Sequence, residues 1–131
     1  MSVSINLDQA QQTFIVEARE QLQAMEESLL QLESDPGDDD AIGAIFRAAH
    51  TIKGSAGLFG LEPIVSFTHI VEDVLDRLRN GSVEVDAGLI AVLLKSSDHM
   101  LELINVVANQ GAKLAPPALA RHQPSGIAPD I

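Results

Sequence analysis

Four times along the chain, apolar residues recur at steps of three and four, and sharp turn signals separate the four stretches. That spacing gathers each apolar set on one side of an α-helix; a strand, with its period of two, could not do so. The first stretch runs from about Leu7 to Ser34 and carries Leu7, Ala10, Phe14, Ala18, Leu22, Met25, Leu29 and Leu32. Gln and Glu fill its other side, and "SDPGDDD" ends it with a Pro-Gly turn. The second, from about Asp39 to Phe59, has Ile42, Ile45, Ala49, Ile52 and Ala56 as its stripe, and its acidic start complements the helix dipole. The third, from about Glu62 to Arg79, has Pro63 in its first turn and Ile64, Phe67, Val71, Val74, Leu75 and Leu78 on its inner side. "RNGS" stops it, with Gly81 suited to a left-handed C-cap. Asp86 is placed to N-cap the fourth, which carries Leu89, Leu93, Met100, Leu103 and Val107 and fades after "ANQG".

Four long helices with short connections predict an all-α fold, an antiparallel up-and-down four-helix bundle. One such domain over residues 1–110 is large enough to bury a core without a metal or disulfide staple. Residues 111–131, "GAKLAPPALARHQPSGIAPDI", read as a Pro/Ala-rich linker or tail, with a short further helix around Ala118 as an addition to the bundle.

Charge and composition narrow the function classes. Nineteen acidic residues against eight basic ones leave a net charge of −11, which repels phosphate backbones and anionic lipid. Four phenylalanines are the only aromatic residues, too few for a base-stacking platform. Neither nucleic acid nor membrane is therefore an expected partner. Without cysteine there is no disulfide, no thiolate metal site and no Cys nucleophile. No apolar run approaches the ~18–20 residues of a bilayer span, and no secretory signal opens the chain, so a cytoplasmic location is the default.

The chemistry concentrates in "AAHTIKGSAGLFG", residues 48–60. Glycine inside a helix costs about 0.5–1 kcal/mol relative to alanine, so Gly54 and Gly57 need a reason. On a helical wheel His50 falls roughly 120° from the centre of the apolar stripe, with Gly43, Gly54 and Gly57 on the same shoulder and Lys53 one turn along. An imidazole ringed by residues without side chains is open to the close approach of another protein; close helix packing is the other reading of those glycines. On the third helix His69, Glu72 and Asp76 share a side away from the Phe67–Val71–Leu78 stripe. With the two helices antiparallel, Glu72 can reach His50. A carboxylate that accepts from one ring nitrogen fixes the tautomer and leaves the other nitrogen free as a nucleophile.

"AHTIKGSAGLFG" followed by "FTHIVEDVLDRLRNG" resembles the histidine-containing phosphotransfer domain of the chemotaxis histidine kinase CheA, and the similarity extends back through "FIVEAREQLQAMEESLLQLE". The resemblance implies a helical bundle with His50 as phosphoryl acceptor, Lys53 beside the phosphoryl group, Glu72 bonded to the imidazole and His69 in the same network. Gly54 would keep the approach to His50 open; Gly57, on the same shoulder of the helix, is a second expected docking position. It also implies a CheA-type kinase domain that supplies the γ-phosphoryl of ATP, and CheY- or CheB-type response regulators that receive it on an aspartate. ATP and Mg²⁺ then belong to those partner domains and no cofactor to this one. Indeed no nucleotide-binding motif is present, so the chain is not expected to make phosphohistidine unaided. Its Pro-rich end would lead toward the rest of a kinase; a free-standing phosphorelay protein is the alternative. Two readings from other classes are a metal-binding bundle built on His50, His69 and Glu72, and an adaptor bundle without chemistry.

Overall fold

In the computed structural model, which describes residues 2–113, four helices follow one another: α1 (Ser2–Ser34), α2 (Asp39–Leu58), α3 (Glu62–Arg79) and α4 (Ala87–Lys113). Among the described residues there is no strand. Helix α1 packs along α2 and α4, α2 along α3, and α3 more sparsely along α4, which closes an antiparallel up-and-down bundle. Of the linker expected over residues 111–131, residues 111–113 continue α4; the rest, with the further helix around Ala118, lies outside the described residues.

At several helix ends the local chemistry satisfies free backbone groups. The Asp38 side chain accepts from the Ala41 amide at 3.1 Å and starts α2; Asp86 accepts from the Leu89 amide at 2.8 Å and starts α4. Helix α2 stops because Gly60 takes a left-handed φ of 66°. The chain then folds back so that the Leu61 amide reaches the Ala56 carbonyl at 3.0 Å and the Gly60 amide reaches Gly57 at 3.2 Å. Gly81, with φ 80°, ends α3 the same way. Pro63 sits in the first turn of α3, where no amide is needed.

The stripes meet in one core. Met25, Leu29 and Leu32 of α1, Ile45 and Ile52 of α2, Ile64 and Leu75 of α3, and Ile90, Leu93, Met100 and Ile104 of α4 are fully buried. Each such side chain contributes about 1.5–3 kcal/mol relative to exposure. The rings of Phe14 and Phe59, 5.7 Å apart, tie α1 to the end of α2.

The helices depart from expectation in three places. Helix α1 begins at Ser2 instead of Leu7, and Ala10 is exposed, so its buried stripe starts at Phe14. Helix α2 ends at Leu58 with Phe59 as its cap residue. In α4 the buried line is Ile90, Leu93, Ser97, Met100 and Ile104, while Leu89, Leu103 and Val107 flank it half-buried. Adjacent apolar pairs such as Leu89–Ile90 and Leu103–Ile104 allow two neighbouring stripes, and only the position of the other helices selects between them.

Candidate functional site

The α2–α3 seam brings one charged group under the surface. Glu72 is 6% exposed, on the inner side of α3 beside Val71 and Leu75. The sequence groups it with His69 and Asp76 away from the apolar stripe, within reach of His50; in the structure Glu72 is buried in the seam, while those two stay exposed. A carboxylate tolerates burial only with partners, and α2 supplies two. His50 Nδ1 lies 2.6 Å from Glu72 Oε2, and Lys53 Nζ lies 2.5 Å from Oε1. Residues 50 and 53 stand one turn apart on α2, so one helix face delivers both to the same carboxylate. Burial by itself would push the Glu72 carboxyl up. The hydrogen bonds and charges of Lys53, then of His50, outweigh it and hold the group below its ordinary value.

The imidazole itself faces outward, with 65% of its side chain exposed. Nδ1 is committed to the buried carboxylate, where the ring donates its proton to an acceptor that has none to give. Nε2 is therefore unprotonated in the neutral ring and carries a free lone pair.

His69 does not join this network. Its Nε2 is 4.0 Å from Asp73 Oδ2, one turn further along α3, and no hydrogen bond links it to His50 or Glu72. It lies three residues before Glu72, on the outer side of the helix, and so walls the shallow groove of about 240 Å³ around His50 instead. Among the described residues no group of three or more His, Asp or Glu is placed to hold a metal ion.

Gly54 and Gly57 are exposed, and a Cβ added to either would meet no heavy atom within 4 Å. Close internal packing therefore does not explain them. They leave bare backbone beside His50, and Leu58, 87% exposed, follows at the end of the same helix.

Phe46, beside His50, and Arg79, against Phe46, are not placed at the site by the sequence. Phe46, one turn earlier on α2, lies within 7° of parallel to the imidazole, centroids 6.2 Å apart. The Arg79 guanidinium, from the last turn of α3, sits 4.3 Å from the centre of the Phe46 ring. The i, i+4 spacing of Phe46 and His50 was a usable signal. The approach of Arg79 from another helix had none.

A family model for the Hpt domain matches residues 9–110. The chain is 36% identical over 107 residues to the chemotaxis protein CheA of Rhizobium meliloti (strain 1021), an alignment that covers 82% of this chain and 14% of the relative. It is 37% identical over 107 residues to the chemotaxis protein CheA of Bacillus subtilis (strain 168), covering 82% of this chain and 16% of that one. The chain thus spans about one-seventh of the length of the curated relatives it matches. Among solved structures, the CheA phosphotransferase domain from Thermotoga maritima superposes with a TM-score of 0.73 at 30% identity, over 77% of this chain and 96% of that one. The phosphorylated P1 domain of CheA3 in complex with CheY6 from R. sphaeroides gives 0.73 at 30% identity, over 79% of this chain and 80% of that one.

Proposed function

The chain belongs to the Hpt domain family and within it to the CheA phosphotransferase group, and from that membership we propose that it is a phosphocarrier with His50 as the group that is phosphorylated. The observation that carries the proposal is the hydrogen bond from His50 Nδ1 to the buried Glu72, 2.6 Å long, on a ring otherwise open to solvent.

The Nε2 lone pair attacks the γ-phosphorus of an ATP held by a CheA-type kinase domain. The N–P bond forms as the bond to the ADP oxygen breaks, and Nδ1 keeps its proton. Positive charge grows on the imidazole during attack, and the Glu72 carboxylate at Nδ1 stabilises it. The Lys53 ammonium stays close enough to balance the incoming phosphoryl oxygens. In the second step a response-regulator aspartate attacks the same phosphorus and the N–P bond breaks. The leaving imidazole departs with its Nδ1 proton in place, so no proton has to be found at that moment. The remaining charge compensation would come from Mg²⁺ held by the receiver and kinase partner domains. The complex of a CheA3 P1 domain with CheY6 supports a CheY-type regulator as receiver; a CheB-type regulator offers the same aspartate chemistry. A cytoplasmic setting follows from those partners. No described helix is long and apolar enough to cross a membrane.

Incubation with a CheA-type kinase core and labelled ATP, followed by mapping of the modified residue, tests the reading. The label is expected on His50, stable in base and labile in acid. His50→Gln should abolish it while melting within about 0.5 kcal/mol of wild type, since the Gln amide can still donate to Glu72. Label on the mutant at His69 or His99 would overturn the assignment.

A further inference from the structure

A single hydrogen bond does not hold an imidazole in plane. His50 has only the one to Glu72 among the described residues, and rotation about its Cβ–Cγ bond would carry Nδ1 away from the carboxylate. Once free, the ring could take the tautomer with the proton on Nε2, which has no lone pair to offer. A solvent-exposed nucleophile therefore needs a second restraint.

Phe46 stands where that restraint is required. It is half-buried, walls the groove around His50, and lies within 7° of parallel to the imidazole one turn away on α2. Its own ring is held in turn. The Arg79 guanidinium lies over it at 4.3 Å, and Arg79 takes part in none of the ion pairs found among the described residues. The last turn of α3 favours a cation at that point through its helix dipole. We propose that Phe46 and Arg79 are positioning residues: Arg79 clamps the Phe46 ring across the α2–α3 seam, and Phe46 restricts His50 to the orientation with Nδ1–H on Glu72 and Nε2 outward. This rests on the phosphocarrier reading and adds two residues to it.

Phosphoramidate separates positioning from docking, because it phosphorylates histidine without a kinase surface. Its P–N bond breaks, ammonia leaves, and the new N–P bond forms at Nε2. Wild type is measured first, with phosphoramidate and with kinase core plus ATP; no label on His50 from either would defeat the phosphocarrier reading itself. With wild type labelled, Phe46→Leu, which keeps apolar bulk, should react about threefold to tenfold more slowly with phosphoramidate, the span of an aromatic pair's contribution. Its helical circular dichroism and melting should stay near wild type. Long-range ¹H–¹⁵N spectra should show the single Nδ1–H tautomer of His50 giving way to a mixture. Phe46→Tyr should restore both rate and tautomer. Arg79→Gln should slow the reaction about twofold to fivefold, in line with an exposed cation–π contact, with Arg79→Lys recovering part of the loss. Wild-type rates and an unchanged tautomer in Phe46→Leu and Arg79→Gln would overturn the inference. So would a rate loss that only tracks unfolding, or one that Phe46→Tyr fails to recover.

Discussion

Glu72 is the residue on which the site turns, because among the described residues it is the one ionisable side chain that the bundle takes out of water. Its partners keep it ionised in the fold, and this links stability to acid. The folded carboxyl titrates below its unfolded value, near pH 4.3 for a free glutamate. The stabilisation is therefore fully present above that pH and disappears as pH falls through the folded value. Glu72→Gln removes the linkage. The stability gap between wild type and Glu72→Gln, read from urea melts, should be constant near neutrality and should narrow below about pH 4.3; a gap independent of pH would mean that the carboxylate is not stabilised in the fold. Glu72→Ala also removes the acceptor at Nδ1. Its phosphorylation rate should drop by about 10²–10⁴-fold, the range of positioned acid–base groups, and a wild-type rate in single-turnover labelling would leave Glu72 a purely structural charge.

At the scale of one element, α2 has glycines of opposite meaning within it and just past its end. Gly54 has helical backbone and open space where a Cβ would stand, so Gly54→Ala should raise stability by up to about 1 kcal/mol. Gly54→Leu should also fold well, yet it places a side chain between His50 and an approaching receiver. Misplacement by ~1 Å is enough to cost about 100-fold in transfer. Melting temperature and single-turnover transfer to a receiver domain should therefore move apart; fast transfer from a stable Gly54→Leu would remove access as the reason for the glycine. Six residues on, Gly60 holds a φ of 66° that ends the helix. Gly60→Ala should lose about 1–2 kcal/mol although no atom crowds its Cβ position. Thermal melts of the two alanine variants should shift in opposite directions.

At the scale of the whole bundle, the described residues form one core with its chemistry on one seam, so damage to the core should reach the site only through unfolding. Ile45 is fully buried on α2, more than one turn from His50. Ile45→Ala should cost about 2–5 kcal/mol in denaturant melts, while the fraction that remains folded should accept phosphate at the wild-type rate. A slowed rate in fully folded protein would show that the core tunes the site directly. Much of this architecture was legible in the chain, because helical period, Pro63, Gly81 and Asp86 act through bonds and neighbours within a turn. The pairing of His50 with Lys53 was legible for the same reason, being local to α2. What tertiary structure alone decided lies across seams. It chose Ile90 and Ile104 over Leu89 and Leu103 as the core line of α4, since both sets share one periodicity. That Glu72 can reach His50 is expected from the sequence; the packing adds its burial and its second partner Lys53, and leaves His69, three residues earlier on the same helix, against Asp73. It also laid Arg79 over Phe46. A helix sequence states which residues share a side, but burial of a charge is settled by the partners another helix brings to it, and those are fixed only when the helices pack.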